Sequence, residues 1–243
     1  MLRKKLTRLR VESLEGRLLL AANVTAAVSG GTLRITDNNA VVNYTVDGTT
    51  TPGQFTVTGN AGTTIDGVAA KTFTGVKSIF ATVGTGNNDN IKVENISANI
   101  LKGDLRIDLP GSIATVNVDN VIAGGNLTIE DYYYPSQAPG NGWSHSAERD
   151  TINVESVQAN EAWIVIWQGV EHINLGKFSS TSPKTSFKDL TLAPGYFSGP
   201  PLSTITIDST NVSHSTSLYG GYNAHKPAAT NSSLGHLYTS EFI

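Results

Sequence analysis

At 243 residues the chain is long enough for one core of ordinary size or two small ones. Only 15% of residues are charged and 39% are apolar, glycine reaches 24, and cysteine is absent, which excludes disulfides and thiolate chemistry. Residues 1–22 hold six bases and two acids, so the net charge of −3 conceals an acidic remainder that lacks the basic footprint of a nucleic-acid or anionic-lipid binder.

The first predicted element is residues 1–22, MLRKKLTRLRVESLEGRLLLAA. A basic start and the small residues Ala21-Ala22 fit a secretory signal, but the apolar stretch is only Leu18 to Ala22, with Glu12, Glu15 and Arg17 just upstream. Leu2, Leu6, Leu9, Leu14 and Leu18 fall near helical spacing, which allows a basic amphipathic helix. No apolar run in the chain approaches the roughly 18 residues that a helical membrane span needs.

The stretch VESLEGRLLLAA resembles the LEPR-XLL segment near the N-terminus of exported planctomycete proteins. Glu12, Leu14, Glu15, Arg17, Leu19 and Leu20 match its pattern, and Gly16 stands where proline is usual. The resemblance implies recognition by export machinery and sorting to the cell envelope or exterior. It implies no activity.

Residues 23–76 are expected to form an N-terminal β capping region, because their strands follow no clear period. Asp-Gly hairpin signals occur here alone, at Asp47-Gly48 and Asp66-Gly67. From Gly30 onward an apolar–polar–apolar element recurs. Its instances are Leu33/Ile35, Phe55/Val57, Ile91/Val93, Leu105/Ile107, Val116/Val118, Leu127/Ile129, Ile152/Val154, Ile173/Leu175, Leu190/Leu192 and Ile205/Ile207. Short alternation of this kind marks a strand with one buried face.

Three copies share a longer register. Ile91, Val93, Ile96 and Ala98 match Val116, Val118, Val121 and Ala123, and both match Ile152, Val154, Val157 and Ala159. Between the second and third positions lie Glu-Asn, Asp-Asn and Glu-Ser, read as a polar corner. A second strand follows each copy: Leu105-Arg-Ile, Leu127-Thr-Ile and the run Trp163–Trp167. The fold class expected is all-β, an irregular right-handed parallel β-helix or solenoid over residues 77–216, with 217–243 as a C-terminal cap or tail. The alternative is a β-sandwich of antiparallel strands. Phrases such as GGTLRIT and GGNLTI are similar to the β-repeat bodies of the same planctomycete proteins. Members of that group are often far longer, so the chain is read as a short representative or a fragment.

Gly84-Thr-Gly-Asn-Asn-Asp-Asn90 is the nearest approach to a calcium motif. It is a single copy with one carboxylate, so Asp89 is the calcium candidate and a plain turn the expected reading. An insertion at 131–149 interrupts the repeat and supplies the candidate ligand-binding residues Tyr132, Tyr133, Tyr134 and Trp143. They would form an aromatic platform for a sugar ring or peptide. The competing expectation is a lid over the outer side of Trp163–Trp167, which is apolar on both faces. His145, Glu148, Arg149 and Asp150 read as solvated loop residues, and no zinc pair, nucleophile elbow, P-loop or dinucleotide fingerprint occurs.

No catalytic residue or cofactor is expected. Function is expected to be structural or adhesive, on the cell surface or outside, with an extracellular glycan or cell-surface component as partner. The alternatives are a carbohydrate-binding module and a polysaccharide-active enzyme. Such enzymes line one face with carboxylates from adjacent rungs, and Glu94, Asp119 and Glu155 read instead as corner residues rather than as a stacked set.

Overall fold

The computed structural model describes residues 22–37, 40–84, 87–110, 113–131, 150–166, 172–176, 185–194, 204–208, 210–220, 228–230, 232–234 and 236–241. Among these residues the protein is all-β, and its nineteen strands join one sheet that nearly closes on itself. The basic segment 1–21 lies outside the described residues, as do Tyr132, Tyr133, Tyr134 and Trp143.

Antiparallel pairing is confined to the first part of the chain. β1 (Asn23–Ser29) turns at Gly30-Gly31, both in the left-handed region, and runs back as β2 (Thr32–Asp37). β3 (Asn43–Gly48), β4 (Phe55–Gly59) and β6 (Ala70–Phe73) form an antiparallel set, and the short β5 (Thr64–Ile65) lies parallel to β1. Asp66-Gly67 is a two-residue turn with both φ angles positive, closed by hydrogen bonds between Ile65 and Val68. Asp47-Gly48 is not a turn: both residues are inside β3, where Gly48 pairs with Phe55. A Cβ at Gly48 would stand 2.3 Å from the carbonyl oxygen of Asn95, so close approach of the neighbouring strand is what requires glycine there.

Among the described residues every later pairing between strands is parallel, and all but one residue pair, Ile122 with Gln158, fall into two columns. In the first, β3 is followed by β8 (Asn87–Leu101), β10 (Ile113–Ala123), β12 (Thr151–Glu155), β14 (His172–Gly176), β16 (Thr204–Asp208) and β18 (Ala228–Thr230). In the second, β2 is followed by β7 (Ser78–Thr82), β9 (Leu105–Asp108), β11 (Leu127–Asp131), β13 (Gln158–Ile166), β15 (Thr185–Pro194), β17 (Thr210–Gly220) and β19 (His236–Glu241). Parallel pairing thus begins before residue 77 and continues past residue 216.

The inward rows explain why these strands stack. All twenty residues of the ten recurring apolar pairs are buried. In the first column Val46, Val93, Val118, Val154, Leu175 and Ile207 stand opposite one another in register. In the second, Ile35, Ala81, Ile107, Ile129, Ile164, Leu192 and Leu218 do the same. Each aliphatic side chain so buried contributes roughly 1.5–3 kcal/mol, and no strand could bury its row alone. Thr216 joins the second column's inner face with its hydroxyl given to the carbonyl of Leu234 at 2.7 Å.

The expected polar corner is a backbone device. Asn95, Asn120 and Ser156, the second residue of each corner pair, all have φ between 53° and 56°. Asparagine tolerates this left-handed conformation better than most residues, which is why it recurs there. The offset expected at the fourth position is corrected: Ala123 pairs with Leu101, not Ala98, because β8 carries extra residues between Ile96 and Leu101. In the second strand of the third copy Ala162 stands opposite Leu127, which turns Trp163 outward.

Candidate functional site

The calcium candidate and Asp150, the residue that follows the insertion, share a structural task. Asp89 Oδ1 accepts the backbone N–H of Val42 at 2.8 Å, and Asp150 Oδ1 accepts that of Ala114 at the same distance. Both carboxylates are buried, and each satisfies a backbone donor at the start of the strand beneath it. The reading of Asp150 as a solvated loop residue is therefore corrected. Asp89 Oδ2 and the Tyr44 hydroxyl are buried without a hydrogen-bond partner. Burial, with the Asp37 charge adding to it, pushes the Asp89 carboxyl up to about 6. Burial drives the Tyr44 hydroxyl far above its ordinary range.

The acids stack, which corrects the opposite expectation. Asp47, Glu94, Asp119 and Glu155 occupy one corner position on four adjacent strands. Like charges directly opposite repel, and Lys92, with its Nζ 2.5 Å from Glu94 Oε2, stands among them. Its hydrogen bond to Glu94, then the charges of Glu94, Asp119 and Asp47, hold the ammonium above its ordinary range. Gly176 takes the next corner position: with φ at 93°, a Cβ there would overlap the Asp208 carbonyl oxygen. On the same outer face Asn174 donates to Asn153 at 2.9 Å and Asn153 to Asn117 at 2.8 Å, an amide ladder along the stack.

The outer face of the second column differs. Arg34, Phe80, Arg106, Thr128, Trp163 and Thr191 form one outward row in register. Thr82, Asp108, Glu130 and Val165 form the row beside it. Both guanidinium groups lie over the Phe80 ring, at 5.3 Å for Arg34 and 5.5 Å for Arg106. Arg106 Nε is 2.8 Å from Asp108 Oδ1, and its Nη2 is 2.9 Å from Glu130 Oε2. Burial and the neighbouring Asp108 hold the Glu130 carboxyl above its ordinary value against the pull of Arg106. Trp163 is 49% exposed, while Val165 is buried, so this outer surface is covered at one apolar position and open at the other. Trp167 and the insertion lie outside the described residues.

Chemically, this face offers fixed acceptors, two guanidinium groups and two aromatic rings, Phe80 and Trp163. No group of three or more His, Cys, Asp or Glu side chains able to hold a metal converges among the described residues. His214, Asp189 and Ser215 meet, but imidazole and hydroxyl both bond to the same Asp189 oxygen. The serine is not paired with the imidazole, so the cluster is not a nucleophile–base relay. Those two bonds, the serine's first, hold the Asp189 carboxyl below its ordinary range. A depression of about 470 Å³ along the starts of β13, β15 and β17 is lined by amides, hydroxyls and Lys188 together with apolar Ile122, Ala123, Ala159 and Phe187.

Sequence reasoning missed the Arg106, Asp108, Glu130 group. Its signal was the pair of phrases Leu-Arg-Ile-Asp and Leu-Thr-Ile-Glu, in which the same alternation that buries leucine and isoleucine brings Asp108 and Glu130 side by side outside. Among the described residues no helix is long and apolar enough to cross a membrane. No protein-family model, curated protein or solved structure matches the chain.

Proposed function

We propose that the chain is an exported, non-enzymatic parallel β-solenoid that serves as a structural or adhesive module of the cell surface or exterior. Residues 1–22 act as its sorting segment of the LEPR-XLL type. The observation that supports the reading is the unbroken register: one inward row of aliphatic residues runs from Val46 to Ile207 across six parallel strands. Stacking of one unit on the next is how quasi-one-dimensional repeat proteins make a core and present a long regular surface. Exported adhesive and structural modules need that surface more than they need a cleft.

Deleting residues 1–21 tests the sorting role and keeps Ala22, whose carbonyl accepts the Thr64 N–H at 2.7 Å. The shortened chain is expected to melt at the temperature of the parent and to stay inside the cell. Unchanged export, or a large loss of stability, contradicts the reading.

A polysaccharide-active reading draws on Asp108 and Glu130, which stand on adjacent strands with an arginine between them. Both carboxylates are bonded to Arg106, so the guanidinium is neither a free base nor a free electrophile. New reducing ends released from a polysaccharide by the parent chain, and lost in Glu130→Gln, would replace the non-enzymatic reading.

A further inference from the structure

Trp163 is the one large ring at the outer surface of β13, 49% exposed on a strand that is hydrogen-bonded on both sides, to β11 and β15. Its row leads through Thr128 and Arg106 to Phe80, three strands away, a straight track of about 14 Å at the ordinary spacing of paired strands. Glu130 and Asp108 flank the track, and Arg106 fixes both at hydrogen-bonding distance. The strands and the ion pairs hold these groups in place before any ligand arrives, so little order would be lost on binding.

The chemistry narrows the ligand. Asp108 and Glu130 balance Arg106 and Arg34, whose guanidinium also lies over Phe80, so the track carries no net positive charge to draw a polyanion. An apolar protein or lipid partner would need a wide apolar patch, whereas Val165 beside the indole is only 8% exposed. A hydroxyl-rich ring fits. Its C–H face packs on an indole, and its hydroxyls donate to carboxylates and accept from a guanidinium as charge-assisted hydrogen bonds.

We propose that the outer face of β9, β11 and β13 binds an extended neutral polysaccharide along the stacking direction, with Trp163 packed on one sugar ring and Glu130, Asp108 and Arg106 holding the hydroxyls of the next. The inference rests on the adhesive reading and gives it a surface and a ligand class. It places binding on a rigid sheet face rather than on Tyr132, Tyr133, Tyr134 and Trp143, which lie outside the described residues.

The test is retention of the full chain on insoluble β-glucan, xylan and mannan, with an anionic polymer, polygalacturonate, alongside, and on the insoluble envelope fraction of the producing cell. Retention on at least one neutral glycan is expected, with none on the polyanion. Trp163→Ala and Arg106→Ala should each weaken it about tenfold or more, as loss of a central aromatic or arginine contact does. Trp163→Ala should keep the parent melting curve, and Trp163→Tyr should restore part of the retention. Equal binding by parent and Trp163→Ala, loss confined to Trp143→Ala, or preference for polygalacturonate each overturns the inference. Failure on every glycan with retention on the envelope fraction overturns the inference alone. Failure on both surfaces overturns the adhesive reading with it.

Discussion

The two outer faces of this molecule obey the same stacking rule and spend their side chains differently. On the first column Asn117, Asn153 and Asn174 bond to one another along the stack, and the corner acids gather around Lys92. The amide ladder and the Lys92–Glu94 pair hold that face together from within, so it reads as a surface that stabilises itself. On the second column the polar groups are equally well held, by Arg106, but Trp163 is left half exposed beside them. An unpartnered ring next to pre-set hydrogen-bonding groups is a surface arranged for a second molecule. The contrast teaches that register alone does not make a binding face; what the row leaves unsatisfied does.

The largest expected effect breaks both faces at once, because they share a core. Val118 is fully buried between Val93 and Val154. Val118→Asp places an unpaired carboxylate in that row and should cost about 4 kcal/mol or more, enough to abolish the cooperative unfolding transition. Asn117→Asp, one residue away on the outer face, should change stability by less than about 0.5 kcal/mol. Chemical denaturation of the two variants measures the difference.

A second effect belongs to the buried acid beneath the amide ladder. The folded-state value of Asp89, about 6, lies above its ordinary value of 3.8. The folded chain therefore holds a proton that the unfolded chain has released, and the resulting stability is present below about pH 4 and lost as pH rises through 6. The loss is on the order of 2 kcal/mol. Glu130, also raised, adds in the same direction. Asp66 and Asp189, both lowered, act oppositely, their contribution being lost as pH falls through the acid range. Asp89→Asn keeps an oxygen for the Val42 N–H and removes the titration. Melting curves from pH 4 to pH 7 should be flatter for this variant, with a higher melting temperature than the parent at pH 7. An unchanged pH profile would show that Asp89 does not hold the proton.

Smaller effects separate the two faces directly. Asn153→Ala removes the central rung of the amide ladder and both of its bonds, at a cost of about 1 kcal/mol because water reaches the half-exposed partners. It should leave glycan retention untouched. Trp163→Ala should do the reverse, moving stability by less than about 0.5 kcal/mol while removing retention. If both variants lose stability alone, the second face is a self-satisfied surface like the first.

Much of this arrangement was legible in the sequence because its cause is local. Alternation of apolar and polar residues shows which side chains face inward, and Ile91/Val93, Val116/Val118 and Ile152/Val154 stack as their spacing indicates. The Glu-Asn and Asp-Asn corners were legible because a left-handed residue favours asparagine. The break at Ala98 was not, since an irregularity in β8 leaves no mark in a short apolar pattern. The outward turn of Trp163 was not legible for a related reason: a run of apolar residues carries no alternation to show which of them faces in. The Arg106 group was hidden because its members are 24 residues apart along the chain and meet only through the pairing of β9 with β11. Asp89 and Asp150 looked like turn and loop chemistry because nothing local shows that their acceptors serve a strand from an earlier unit.

The central claim is the parallel register, and the absence of cysteine makes it directly testable. Asn117 and Asn153 stand opposite each other on β10 and β12, 36 residues apart in the chain. The separation of paired strands, about 4.8 Å, lies within the reach of a disulfide between Cα atoms. Asn117→Cys with Asn153→Cys should oxidise to an intramolecular bond in the folded protein. Asn117→Cys with Glu155→Cys, two residues out of register, should stay reduced under the same conditions. Rapid closure of the first pair alone is the predicted result; closure of neither, or of both at the same rate, would contradict the stacked architecture.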